Sequence, residues 1–337
     1  MAPLSQAEAS QYMYAARAGK YEDSWHPHYA ERFVRIVNPH PGQRILDLCC
    51  GTGLELFVLA EALNKDGQHG DGGAVIGVDV TVEMLAVAAE RQKARPELAD
   101  RVQLLHHDVT HLETLGTKMS TSSAGSTAAP APFEKHSFDT IVCSNAFVLF
   151  DDPDAVVAGW RQFLKPPVYT AATHSSTDSH EGHESHRGLH HHEPGGKLVI
   201  DIPHEAAQRS GITMERVARR LGLVFPSNRS WVTSVNSFRD VLERNGYRVE
   251  RVVELDHISG KGASHYTAYQ ADELYDTLTK SSAFEAMVAG AGPGVERETV
   301  VRHGKPIFRE EFMRDAGDDG CVFVSDTMYV YVARIEA

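Results

Sequence analysis

The sequence predicts an α/β fold with helices on both faces of one sheet, and two observations carry that prediction. From about residue 43 onward, short apolar runs alternate with helical periods. The first run is followed at once by a glycine turn that opens a helix, so strand, turn and helix come in direct succession.

Arg44–Leu48 reads as the first strand, Gly51-Thr52-Gly53 as the turn, and Leu54, Phe57, Val58 and Leu63 recur behind it at helical spacing. Ala74–Asp79 is the second strand, followed by a helix that Thr81 caps and that carries Met84, Leu85 and Ala88. Val102–His106 is the third. Residues 138–143 form the fourth, before a helix that Asp152 and Pro153 start, with Trp160 and Leu164 on its buried side. Residues 197–202 form the fifth; a helix capped by Ser237 then carries Phe238, Val241 and Leu242 and stops at Asn245-Gly246. Tyr247–Leu255 is the sixth strand. Met328–Ile335 alternates apolar with polar or aromatic residues, as an edge or antiparallel strand does.

Three segments interrupt this rhythm. Residues 117–136 are rich in Ser, Thr, Ala and Pro, and residues 166–195 hold His174, His180, His183, His186, His190, His191 and His192. Neither has the apolar content of a core, and the histidine spacing lacks the fixed geometry of a built metal site, so both read as solvated surface insertions with no metal assigned. The third, residues 257–320, is different: Leu274, Leu278, Phe284, Met287, Val288, Phe308 and Phe312 predict real helices, a lid or wall over a pocket.

Composition narrows the function. The chain of 337 residues has room for a sizeable core, and its 33 Lys and Arg against 46 Asp and Glu leave a net charge of −13 with no dense basic run. That disfavours a nucleic-acid partner. No stretch approaches the ~20 apolar residues of a membrane span, and residues 1–20 lack a leader pattern, so the expectation is a soluble, cytoplasmic protein without membrane insertion. Cys49, Cys50, Cys143 and Cys321 have neither disulfide nor zinc spacing, which fits a reducing compartment.

Gly51 and Gly53 let a ligand approach the backbone at the end of the first strand, beside a helix N-terminus. The dinucleotide fingerprint requires a small third residue where Leu56 stands. Asp47 at the same strand end repels a pyrophosphate but suits an ammonium group. Charge therefore favours a nucleoside that bears an amino acid.

Ile45-Leu46-Asp47-Leu48-Cys49-Cys50-Gly51-Thr52-Gly53 resembles the first motif of class I S-adenosylmethionine-dependent methyltransferases, of the group that includes the ubiquinone and menaquinone biosynthesis methyltransferases. Cys49 stands where that family usually has glycine. The resemblance covers about residues 20–256 and the last strand, outside the insertions. It implies a Rossmann-like seven-stranded sheet of order 3-2-1-4-5-7-6 with the last strand antiparallel, a core of residues 43–256 plus 321–337, and an N-terminal helical segment, residues 1–42, over the cofactor.

The family's roles fall on particular residues here. Asp47, Cys49, Gly51 and Gly53 belong to the first motif; Asp79 corresponds to the acidic residue on the ribose hydroxyls, and Asp108 to the acceptor of the adenine amino group, with Val80 and Val109 flanking the ring. Ser144 and Asn145 fall where backbone groups meet the methionine part, and Tyr21 or Trp25 is placed to close the N-terminal segment. The implied cofactor is S-adenosyl-L-methionine, with S-adenosyl-L-homocysteine as product.

In-line methyl transfer asks mainly for positioning and exclusion of water, with a base where the acceptor is a hydroxyl. His204, directly after the fifth strand, is the first candidate base and His28 the second; His265 and Tyr266 reach in only from the third insertion. No asparagine-proline-proline-tyrosine type motif follows strand four, where Ser144-Asn145-Ala146-Phe147 stands. A small-molecule acceptor is expected, methylated at O, N or C in secondary or quinone-type metabolism. Phe147, Val148, Leu149 and Phe150 line its pocket or pack in the core. Three other readings stay open: a methyltransferase-like protein that binds the cofactor without transfer, a nicotinamide-dependent oxidoreductase, and a protein methyltransferase that docks a peptide on the third insertion.

Overall fold

The computed structural model describes residues 4–64, 73–115, 133–170, 191–292 and 294–336. Seven strands form the main sheet: β1 (Arg44–Leu48), β2 (Ala74–Asp79), β3 (Val102–His106), β4 (Thr140–Cys143), β5 (Lys197–Pro203), β6 (Tyr247–Leu255) and β7 (Met328–Ile335). Their order is β3-β2-β1-β4-β5-β7-β6, with the first five parallel and β7 antiparallel to both its neighbours, as the resemblance implied. All the glycine-turn and strand-end residues therefore gather at one edge, where open α/β sheets bind ligands.

Helices cover both faces because both faces of the central strands are apolar. On one side α5 (Pro153–Arg161) and α7 (Asn236–Arg244) bury Trp160, Phe238 and Leu242 together with Tyr329 and Tyr331. On the other, α2 (His26–Val37) and α3 (Leu54–Leu63) bury Phe33, Leu56 and Phe57 against Val330 and Val332. β7 thus uses its alternation to serve two cores, tyrosines one way and valines the other, and lies inside the sheet instead of at an edge.

Several local expectations change. Phe138 makes only an isolated bridge to Leu164, so β4 begins at Thr140. Thr81 stands at the N-cap of α4 (Val82–Lys93) without a side-chain cap bond. Ser237 lies inside α7 instead of capping it; its hydroxyl accepts from the Thr233 and Ser234 N–H groups at 3.0 and 3.1 Å. Asp152 does cap α5, accepting from the Ala155 N–H at 3.0 Å. The amphipathic α6 (Arg209–Leu221) was not anticipated. Most of the two low-complexity segments lies outside the described residues, including His174, His180, His183, His186 and His190. The ends of the second are not plain loop: Val168–Thr170 pairs antiparallel with His191–Glu193.

The third insertion holds α8 (Ala268–Leu278), α9 (Ser282–Ala289) and α10 (Arg297–Met313), closed by an antiparallel pair of Ser264–Tyr266 with Val322–Val324. Tyr275, Phe284, Phe308 and Phe312 bury themselves there with Met214 and Val217 of α6, a core separate from those of the sheet. Helix α1 (Gln6–Ala15), started by a Ser5 and Glu8 capping box, packs on α9. It also ties two strand ends, since Gln11 donates to the Val80 carbonyl and Gln6 to the Leu149 carbonyl, each at 2.9 Å.

Candidate active site

The turn after β1 is built from left-handed backbone. Cys49, Gly51 and Gly53 have φ of 59°, 53° and 80°. A side chain at Gly53 would put Cβ 2.8 Å from the Phe57 ring, so both space and φ select glycine. Cys49 adopts the same region with a small side chain at a cost of about 1–2 kcal/mol. Leu56, too bulky for a dinucleotide fingerprint, is accommodated by Gly77 of β2: a Cβ there would lie 3.0 Å from both Leu56 methyls.

Four carboxyl groups converge beside this turn. Asp79 at the end of β2 accepts from the Gly51 N–H at 2.9 Å and the Thr81 N–H at 2.7 Å, locking the turn to the second strand. Burial pushes its pKa up while those two donors pull it down. Asp47 is 2% exposed, and among the described residues one of its carboxylate oxygens has no partner; the buried Thr52 hydroxyl has none there either. Burial, then Glu55 and Asp79, push Asp47 well above the usual carboxylate range.

Ser144, after β4, ties the other two together. Its Oγ lies 2.8 Å from Glu55 Oε1 and 3.1 Å from Asp201 Oδ2. Asp201, in β5, also receives the Tyr29 hydroxyl at 2.6 Å and the Asn145 N–H at 2.8 Å, for which Asn145 turns to a φ of 55°. Burial lifts Glu55 to about 7 and Asp201 to about 6, each against hydrogen bonds that favour the ionised form. Arg17, in the N-terminal segment, lies over two rings, its guanidinium 5.3 Å from the Tyr14 ring centre and 5.5 Å from that of Tyr21.

The structure therefore brings Asp47, Cys49, Gly51, Gly53, Asp79, Ser144 and Asn145 into one neighbourhood, with Tyr21 close enough to feel the charges of Glu55 and Asp201. Val80 is exposed, whereas Val109 is buried in the core under α5, where Trp160 donates to its carbonyl at 2.9 Å. Asp108 is exposed and accepts from the Thr110 N–H and hydroxyl at 2.9 and 2.7 Å.

The histidines divide differently from expectation. His28 is exposed on α2 and makes no hydrogen bond or ring contact with the strand-end groups among the described residues. The helical period buries His26 instead, stacked on Trp25 at 3.9 Å and on Tyr21 at 4.1 Å, its Nδ1 2.5 Å from Ser24 Oγ. That burial lowers its pKa to about 4. His204 follows β5, stacks on Tyr329 at 5.0 Å and accepts the Ala206 N–H at Nδ1 at 2.9 Å. Its ring proton accordingly sits on Nε2, which makes that nitrogen a donor. His265 packs on Phe323, and Tyr266 meets Phe312 of the insertion core. Phe147 is core, 4.7 Å from Phe238.

Sequence reasoning missed Glu55, Asp201 and Tyr29. Glu55 is one polar position in a helix that reads Leu-Glu-Leu-Phe-Val-Leu-Ala, and the only signal for Asp201 was an acid inside an otherwise apolar strand.

Comparison with known proteins shows similarity to methyltransferases over part of the chain. Residues 39–199 match the family model described as a methyltransferase domain. The nocamycin O-methyltransferase of Saccharothrix syringae is 33% identical over 137 residues, 41% of this chain and 39% of that protein. The demethylmenaquinone methyltransferase of Bacillus cytotoxicus is 31% identical over 129 residues, 38% of this chain and 42% of that protein. That of Geobacillus kaustophilus is 29% identical over 153 residues, 45% of this chain and 53% of that protein. The chain thus spans about 39–53% of the length of these relatives. Over residues 39–199, just under half of its length, the chain is similar to a methyltransferase domain, and the relatives it matches are named methyltransferases.

Proposed function

We propose that this protein transfers a methyl group from S-adenosylmethionine to a small organic acceptor at O, N or C, in secondary or quinone-type metabolism. The observation that carries this reading is the buried, unpartnered Asp47 oxygen beside the glycine turn, with the second carboxylate, Asp79, locked across it. A pyrophosphate would be repelled there; an ammonium-bearing nucleoside supplies the missing partner. The names of the relatives, an O-methyltransferase and quinone-precursor methyltransferases, support the acceptor class.

When bound, this cofactor supplies a methyl on an electrophilic sulfonium. The chain's residues would then divide the work. Asp47 holds the ammonium, and the free lone pairs of Asp79 take the ribose hydroxyls. Asp108 and Val80 remain the candidates for the adenine end, and α1, Tyr21 and Trp25 exclude water from the strand ends. His204 presents its Nε2 proton and positions an acceptor oxygen, a donor's part in place of the base expected of it.

The test is calorimetric titration with S-adenosylmethionine and S-adenosylhomocysteine. Asp79→Ala should weaken both by more than about 100-fold, because two charge-assisted hydrogen bonds are lost; Asp79→Asn, which keeps the shape, should fall between. Unchanged affinity in both variants, or tight binding of NADH by the parent, would reject the reading.

A further inference from the structure

Ser144 has one hydroxyl proton and two carboxyl neighbours, and it also receives the Asn145 side-chain amide at 3.1 Å. It can donate to Glu55 or to Asp201, but not to both. Asp201 is well supplied as an anion, with the Tyr29 hydroxyl on one oxygen and the Asn145 N–H on the other. Glu55 has Ser144 as its one side-chain hydrogen-bonding partner among the described residues, beside its own backbone N–H. All contacts are satisfied when Glu55 Oε1 carries a proton and donates to Ser144 Oγ, while Ser144 donates to Asp201 Oδ2.

The surroundings decide how firmly that proton is held. Facing Glu55 are Asp201 from β5, Asp47 from β1, Tyr21 and Tyr29 from the N-terminal segment, and Arg91 from α4, which is itself paired with Glu22. Glu55 retains some exposure to the cleft. Asp47, with its buried and partnerless oxygen, marks the same place as one that lacks a cation.

We propose that Glu55 is the residue by which this cleft distinguishes a cationic nucleoside from its neutral counterpart: protonated without a cation nearby, ionised with one. The inference rests on the functional reading above. Either nucleoside brings its ammonium to Asp47; the additional positive charge of the sulfonium offsets the repulsion that keeps the proton on Glu55, and that proton leaves to the buffer. A neutral thioether has no such effect and binds with the proton in place. The value of about 7 that burial gives Glu55 puts the exchange within an accessible range.

The experiment counts protons by titrating the full chain with each nucleoside at about pH 6 in two buffers of different ionisation enthalpy. About one proton more should leave per S-adenosylmethionine bound than per S-adenosylhomocysteine, and the affinity for the cation relative to the thioether should increase by up to about tenfold for each unit by which pH rises toward the Glu55 value. Glu55→Gln should abolish that difference and flatten its pH dependence. Should that variant fail to fold in a thermal melt, Asp201→Asn serves: without its charged neighbour Glu55 ionises at lower pH, and the release shrinks. Equal release with both nucleosides, or a difference between them that persists in Glu55→Gln, would overturn the inference while leaving the functional reading intact. Binding of neither nucleoside by the parent chain would overturn both.

Discussion

The carboxyl ends of the strands and the helical insertion treat polar groups in opposite ways. In the insertion, charge is paired: Arg216 meets Asp315, Arg220 meets Glu310 and Glu311, and Lys305 meets Asp276, all around an apolar core of Tyr275, Phe308 and Phe312. At the strand ends, four carboxyls crowd together, Asp47 and Thr52 keep buried atoms without partners, and Cys49 and Asn145 hold left-handed backbone. Satisfied pairs dock one unit on another. Unsatisfied and strained groups are tolerated where a ligand completes them, because the surrounding sheet over-determines their positions.

The comparison can be broken in several places. The largest effect is expected from Phe308→Ala: the ring is fully buried and stacks on Phe312 at 5.6 Å, so denaturant unfolding should show a loss of about 3–5 kcal/mol. S-adenosylmethionine affinity should survive it; a parallel loss of binding would show that insertion and cleft are one cooperative unit. Gly77→Ala should cost about 1–3 kcal/mol by driving a methyl into Leu56 and the Cys50 sulfur, and combining it with Leu56→Ala should cost less than the two separate losses added together. Additive losses would mean that Leu56 does not depend on Gly77.

Two buried titratable groups make opposite pH predictions for stability. Folding raises Glu55 from 4.5 to about 7, so its contribution is full below 4.5 and declines as pH rises through that window. Folding lowers His26 from 6.5 to about 4, so its contribution is full above 6.5 and is lost as pH falls toward 4. Each limb has a slope of up to about 1.4 kcal/mol per pH unit; Glu55→Gln should flatten the first alone and His26→Phe the second alone, read by urea midpoints across pH. The smallest effect belongs to the insertion's surface: Lys305→Ala should change stability by no more than about 1 kcal/mol, diminishing in salt. A larger value would make that ion pair part of the docking and not of its periphery.

What could be read from sequence follows from range. The central strands of the main sheet are short apolar runs with their own turn signals, and Asp47 and Asp79 stand out because each lies at the end of such a run beside the glycine turn. The pairs 264–266 with 322–324 and 168–170 with 191–193 were hidden because three residues give no periodicity to read. Between His26 and His28 the choice turns on the phase of α2, which Tyr29, Ala30 and Phe33 set only once the helix lies on the sheet. Glu55 looks like any polar residue in a helix until Ser144 and Asp201 are placed beside it.

By itself the sequence determined the alternation of strands and helices, the glycine turn and the acidic strand ends, since these depend on periodicity and on backbone conformations reached within a few residues. Tertiary structure alone decided that Gly77 makes room for Leu56 and that Ser144 joins Glu55 to Asp201. Those outcomes depend on groups distant in sequence meeting at one sheet edge, where burial sets their protonation and pairing, and no local pattern encodes that.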